Sequence, residues 1–203
     1  MKYFWRLAAA ALLLAGVGVE PPRRVAAEEE HNYVGTFLVA APEMGDPRFQ
    51  ESVVYMVESG QDGAIGLVIN RPVAEGPLSD LLKALGSEGE DANGNVTIHY
   101  GGPVEPDHLS VLHSNDYVSK ATRFVGNGLG VTSGPEILRA VARGQGPRQK
   151  LLIFGYAGWG PGQLEAELKD NAWFVIPAEV SLIFGSEPEK TWARALAKRK
   201  VKA

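Results

Sequence analysis

GTFLVAAPEMGDPRFQESVVYMVESGQDGAIGLVINRP, from Gly35 to Pro72, is the stretch on which the reading of this chain turns. It holds two short apolar runs, Val53-Val54-Tyr55-Met56-Val57 and Ala64-Ile65-Gly66-Leu67-Val68-Ile69. Ser59-Gly60-Gln61-Asp62-Gly63 stands between them and is a turn-forming cluster. Short apolar runs bounded by Gly and Asp read as buried strands joined by a hairpin.

Outward from that hairpin the pattern is that of an α+β domain. Thr36 to Ala41 reads as a strand upstream. Leu78, Leu81, Leu82 and Leu85 fall at i, i+3, i+4 and i+7, which predicts a helix burying one stripe. Ser87 to Asn95 is polar and glycine-containing, hence a surface loop. Val96 to Tyr100, Leu109 to Leu112, Leu151 to Tyr156 and Trp173 to Ile176 read as further strands. Gln163 to Asp170 reads as a short helix. Ser133 with Glu136, and Ser186 with Glu189, have capping-box spacing and predict helices starting there, the last running toward Lys198. Strands and helices do not interleave as regular βαβ units, so a Rossmann sheet is not expected, and no internal repeat or linker divides the domain.

Composition bounds the chemistry. A chain of 203 residues with 45% hydrophobic and 22% charged residues is an ordinary globular domain with a sizeable core. Cysteine is absent, which removes disulfides, thiolate metal ligands, cysteine nucleophiles and a lipoprotein anchor together.

The same residues resemble the defining segments of the YqgE/AlgH family of bacterial proteins. Ala41-Pro42, Asp46-Pro47, Phe49, Ser52-Val53-Val54, Gly63-Ala64, Gly66 and Asn70-Arg71-Pro72 carry the first. Gly101-Gly102-Pro103-Val104 and Leu112-His113-Ser114 are similar to its central motif. Gly155-Tyr156-Ala157-Gly158-Trp159, Gly162-Gln163-Leu164-Glu165, Glu167 and Asn171-Ala172-Trp173 are similar to its third, and Trp192 fits the usual C-terminal helix. The resemblance runs in order from Gly35 to about Ala197. It implies a bent, mostly antiparallel sheet forming a pseudo-barrel with helices packed outside. The family's molecular activity is not established. Its name derives from an association with regulating alginate production, which suggests transcriptional control.

Two features depart from that pattern, a hydrophobic N-terminus and a basic tail, Lys198-Arg199-Lys200-Val201-Lys202-Ala203. Lys2 and Arg6 flank an aromatic start, Leu7 to Val19 is apolar, and Val25-Ala26-Ala27 places small residues before Glu28. That is the layout of a secretory signal peptide over residues 1–27, leaving a single domain at 28–203. The apolar core falls short of the roughly 20 residues a membrane span needs, so no stable span is expected after cleavage. Pro21-Pro22-Arg23-Arg24 before the cleavage site is atypical, and an uncleaved anchor or a plain extension is the alternative. The expected location is periplasmic or secreted, with the cytoplasm as alternative if the segment is not an export signal. Its removal takes away Lys2, Arg6, Arg23 and Arg24 against Glu20, leaving a domain three charges more negative than the full chain's −4. An acidic domain without a helix-turn-helix signature lacks the electrostatic footprint of a nucleic-acid binder, so no nucleic acid is expected as partner.

Candidate chemistry is sparse. Gly155 to Gly162 is a Gly-rich segment between a strand and a helix whose backbone N–H groups could cradle an anion, with Gly158, Trp159, Gly160 and Gly162 as ligand-binding candidates. It has no P-loop lysine and does not spell G-x-G-x-x-G, so nucleotide motifs are not matched and no cofactor is expected. Its glycines equally serve to let backbone pass close to Trp159 and Trp173, with Pro161 opening the helix. Arg71 beside a rigid turn suits a carboxylate or phosphate, or an internal ion pair. His108 and His113 are five residues apart and fall on opposite faces of a regular strand, so no metal site is expected. His113 is a ligand-binding candidate and, equally, a hydrogen-bonded structural histidine.

No G-x-S-x-G elbow occurs, and Ser52 or Ser114 with His113 and Asp46 or Glu165 is a triad only on paper, so no catalytic residue is assigned. Two functions stand: a non-enzymatic binding or regulatory module for an unknown protein or small anionic ligand, and an uncharacterised hydrolase. A cytosolic transcriptional regulator is the further alternative if the N-terminus is not exported.

Overall fold

The computed structural model describes residues 32–87 and 92–199. The segment read as a signal peptide, His31 and the tail from Lys200 onward lie outside the described residues. β1 (Thr36–Ala40), β2 (Val53–Gly60) and β3 (Gly63–Val68) pair antiparallel in sequence order. The β2–β3 hairpin closes Gly60 against Gly63, as the turn cluster predicts.

The unbroken apolar runs have a structural cause. One face of these strands buries Phe37, Val39, Val53, Tyr55, Val57, Leu67 and Ile69. The other buries Leu38, Ala40, Val54, Met56 and Val68. With both faces dry, the in–out alternation of a one-sided antiparallel sheet disappears from the sequence.

β4 (Pro72–Pro77) leads into α1 (Leu78–Ala84), and β5 (Asn95–Tyr100), β6 (Val104–Ser114), β7 (Thr122–Phe124) and β8 (Leu129–Ser133) follow. Then come α2 (Pro135–Ala142), β9 (Lys150–Trp159), α3 (Gln163–Lys169), β10 (Trp173–Pro177), α4 (Val180–Ile183) and α5 (Pro188–Ala197). The strand order is β10-β1-β2-β3-β9-β6-β8-β7, with β5 on β9 and β4 on β5. Every pairing is antiparallel except β5 on β9. The sheet curls into a half-barrel, and the fold is α+β.

Helices cover both of its faces. Ile183 of α4 and Ala195 of α5 close the first core, and Leu164 of α3 closes the second. Leu78 and Leu82 of α1 meet Ile137 and Leu138 of α2 over Leu109, Val111 and Leu152. Fully burying each such Leu or Ile contributes roughly 1.5–3 kcal/mol.

Both expected capping boxes are displaced. The N-caps are Gly134 and Glu187, and neither makes a side-chain cap bond. Pro135 and Pro188 follow them, and a proline's fixed φ seeds the first helical residue one position later than the box requires. The Gly155–Gly162 segment also differs from its reading. β9 continues three residues past Tyr156, pairing Ala157, Gly158 and Trp159 with Gly66, Ile65 and Ala64. The backbone N–H groups of Ala157, Gly158 and Trp159 therefore lie on a strand in the sheet and not on a turn ahead of the helix. α3 starts at Gln163 with Gly162 as its left-handed N-cap, leaving Pro161 in the turn before it.

Gly102 and Gly155 explain why two distant motifs need glycine. A Cβ on Gly102 would stand 2.2 Å from the Tyr156 carbonyl, and one on Gly155 2.4 Å from the Gly102 carbonyl oxygen. Both also have positive φ, 149° and 74°. The backbones entering β6 and running through β9 touch here, with no room for a side chain.

Candidate functional site

Trp159 ends β9 and Trp173 begins β10, so α3 lies between two indoles that the sheet brings together. Their rings meet edge to face with centroids 5.9 Å apart. Glu167 on α3 accepts both indole N–H groups on one oxygen, Oε2, at 2.9 Å from Trp159 and 2.7 Å from Trp173. Its Oε1 accepts Gln163 Nε2 at 2.9 Å, and Gln163 Oε1 takes the Gly160 N–H at 3.1 Å. Buried indoles need an acceptor, and one carboxylate serves both.

The loop that follows β1, whose last residue Ala40 pairs with Trp173, completes the wall. Phe49 packs edge to face on Trp173 at 5.5 Å. Asp46 fixes that loop: its carboxylate takes the Arg48 backbone N–H at 2.9 Å and the Arg48 guanidinium at 2.6 Å, and its carbonyl takes the Phe49 N–H at 2.9 Å. The Arg48 guanidinium holds the Asp46 carboxyl below its ordinary pKa.

Between loop and helix lies a cavity of about 390 Å³, lined among others by Phe49, Pro103, Gly158, Trp159 and Trp173. A second of about 360 Å³ runs on toward Asp62 and Gly63 of the hairpin. The two share Val104, Gly158 and Trp159 and so lie side by side, and together they are the groove.

The candidates read from sequence divide accordingly. Gly158 and Trp159 line the groove. Gly160 spends its N–H on Gln163, and Gly162 is the α3 cap. Arg71 borders a different cavity, beside Pro47, Gln50 and Trp192. Its guanidinium is not ion-paired there but donates to the carbonyls of Arg48, at 2.5 Å, and Gln50. Neighbouring Asn70 accepts the Val53 N–H and donates to the Glu51 carbonyl, both at 2.9 Å. Asn70-Arg71 therefore staples the 46–51 loop from behind.

His113 is fully buried and lies between β6 and β8. Nδ1 lies 2.8 Å from the Ser114 carbonyl, which can only accept, so Nδ1 carries the proton. Nε2 then accepts from Thr132 Oγ1 at 2.8 Å; Thr132 accepts from Thr122 Oγ1 at 2.7 Å, and Thr122 accepts the Ser119 N–H at 2.9 Å. Burial lowers the His113 pKa, outweighing the Ser114 carbonyl and Asp116, which raise it. Ser114 Oγ donates to Asp116, and Ser52 is wholly buried with no partner for its Oγ. No serine hydroxyl among the described residues meets the His113 ring. Among the described residues no group of three His, Asp or Glu is placed to hold a metal ion, and no helix is long and apolar enough to cross a membrane.

Glu167, Phe49 and the Asp46–Arg48 pair were missed as groove residues. The first had a signal in sequence, two tryptophans flanking one short helix with a glutamate on it. The others had none, because their loop reaches the tryptophans only through the sheet.

The AlgH-like family model matches residues 37–203. This chain belongs to the AlgH-like family. A UPF0301 protein of Methylococcus capsulatus is 46% identical over 162 residues, covering 80% of this chain and 88% of the relative. One from Rhodospirillum rubrum is 38% identical over 171 residues, covering 84% and 89%. The solution structure of the AlgH protein from Pseudomonas aeruginosa superposes with a TM-score of 0.70 at 38% identity, covering 83% of this chain and 89% of that one. A Corynebacterium diphtheriae protein shares the fold at a TM-score of 0.65 and 21% identity. The motifs that carry the AlgH-like resemblance thus include the tryptophan–glutamate cluster, the Gly102–Gly155 crossing and the Asn70-Arg71 staple.

Proposed function

We propose that this AlgH-like chain is a non-enzymatic binding module that takes an extended segment of a partner protein along the groove over Trp159. The observation that carries the reading is the groove's form. Two cavities in the size range of ligand sites lie next to each other and share Val104, Gly158 and Trp159. Phe49, Tyr156, Trp159 and Trp173 line them, residue types that protein-binding surfaces favour. Beside them stand the carboxylates Asp46, Glu58, Asp62 and Glu167, which suit a partner segment carrying basic groups. Both ring nitrogens of His113 are committed and buried, which favours this reading over a hydrolase that would use His113 as its base.

Regulation, if this module exerts it, acts through the partner bound. Export by the segment at 1–27 puts that partner outside the cytoplasm, which an intact mass starting at Glu28 in a periplasmic fraction would support.

The test is selection of a random peptide library on the purified protein, followed by titration of a selected peptide into the 15N-labelled chain. The Trp159 and Trp173 indole N–H resonances should shift, and Phe49→Ala should weaken binding about tenfold. Selected peptides that leave both indoles and Gly158 unmoved would overturn the reading.

A further inference from the structure

A separate cavity of about 600 Å³ shares no residue with the groove. One wall is a face of β5: Asn95, Thr97 and His99 alternate along the strand and so point the same way. Arg148 and Lys150 enter from the start of β9, and the turn from Phe184 to Pro188 closes the opposite side. The lining contains two cations and no carboxylate.

Several donors there are unspent. Arg148 commits Nε to Asp116 at 2.7 Å, and its side chain is otherwise 87% exposed. Lys150 gives one bond, to the Pro147 carbonyl at 3.2 Å, and has two further N–H groups. The N-terminus of the ten-residue α5 opens at Pro188 without a side-chain cap. An independent observation points to an occupant. His99 lines the cavity, is only 6% exposed, and its Nδ1 has no hydrogen-bond partner. Polar atoms so deeply buried are normally satisfied.

We propose that this cavity binds a small organic phosphate monoester, with the phosphate held by Arg148, Lys150 and the hydroxyls of Thr97 and Ser186. A tetrahedral dianion has more acceptor oxygens than a carboxylate and uses converging donors of both kinds, fork and point charge. The volume exceeds what a phosphate fills, and Leu151, Phe184 and Pro188 offer an apolar wall to the organic part. His99 lines the same cavity and is its most buried polar side chain among Asn95, Thr97 and His99 on β5. Its burial lowers its pKa, so it serves as a neutral hydrogen-bonding group.

The experiment titrates inorganic phosphate, phenyl phosphate and phenol separately into the full-length 15N-labelled chain. Phenyl phosphate should saturably shift the Thr97, Gly185 and Ser186 amides and the His99 ring while leaving the Trp159 indole in place. It should bind about tenfold or more tighter than inorganic phosphate, and R148Q/K150M should lose at least about tenfold. Neither side chain belongs to the apolar core, and a wild-type-like amide spectrum of the double variant checks its fold. No shift with millimolar phenyl phosphate, or wild-type affinity in the double variant, overturns the proposal. Equal affinity for inorganic phosphate makes this a free-phosphate site, and equal affinity for phenol an apolar pocket; either overturns the organic-phosphate assignment.

Discussion

Trp159 and Trp173 give their indole hydrogens to the same oxygen of Glu167, although one ends a strand and the other begins the strand across the helix. Glu167→Ala would strand two buried N–H groups at once. Each unsatisfied donor costs about 1–3 kcal/mol, so the loss should reach roughly 2–6 kcal/mol in urea unfolding. Glu167→Gln keeps an acceptor and should lose less than half of that. Equal stability of wild type and Glu167→Ala would show that the clamp contributes nothing.

The Gly102–Gly155 crossing gives a sharper contrast. Gly155→Ala places a Cβ 2.4 Å from a carbonyl oxygen at a positive φ, and should cost more than about 3 kcal/mol or abolish soluble expression. Gly160→Ala meets nothing nearer than 4.0 Å and should change stability by less than about 0.5 kcal/mol. Thermal melts of the pair decide whether these glycines answer to packing or to ligand.

Arg71→Lys removes a planar fork that reaches two carbonyls, and a point-charge ammonium cannot replace both. The expected loss is about 1–2 kcal/mol. Hydrogen exchange should quicken across residues 46–51 before it changes elsewhere. An unaltered exchange pattern would remove the staple and leave Arg71 free for an outside anion.

Acid should weaken the fold through its histidines. Burial lowers the pKa of both His113 and His99 in the folded chain, so the unfolded chain binds more protons as pH falls below the ordinary value of about 6.5. Their contribution is therefore complete above that pH and declines as pH falls toward the lowered folded values. The slope is at most about 1.4 kcal/mol per pH unit for each histidine. Urea midpoints taken on either side of pH 6.5 should fall with acid, and less steeply in His113→Gln. A flat profile would mean that both rings ionise freely in the folded state.

The hairpin, the helices at Leu78 and Gln163 and the dry strands were legible because local apolar pattern and turn chemistry carry them. β4 was not, since Pro72–Pro77 is exposed along most of its length and is a strand only by pairing with β5. β7 and β8 were missed for a related reason. The first is three residues long, and the second is interrupted by Gly130, so neither announces itself without its neighbour. The capping boxes misled because Pro135 and Pro188 outrank a serine hydroxyl in setting where a helix begins.

The sequence by itself determined the family, the α+β class and the residue types from which a site could be made. Those follow from short-range periodicity and from motifs read in order. Only the tertiary structure decided which of them meet. It carried Phe49 to Trp173, turned Arg71 inward onto carbonyls, buried His113 between strands and set His99 against Arg148 and Lys150 in a cavity. Such meetings depend on strand pairings between residues far apart in the chain, and no local pattern encodes the register of a distant partner.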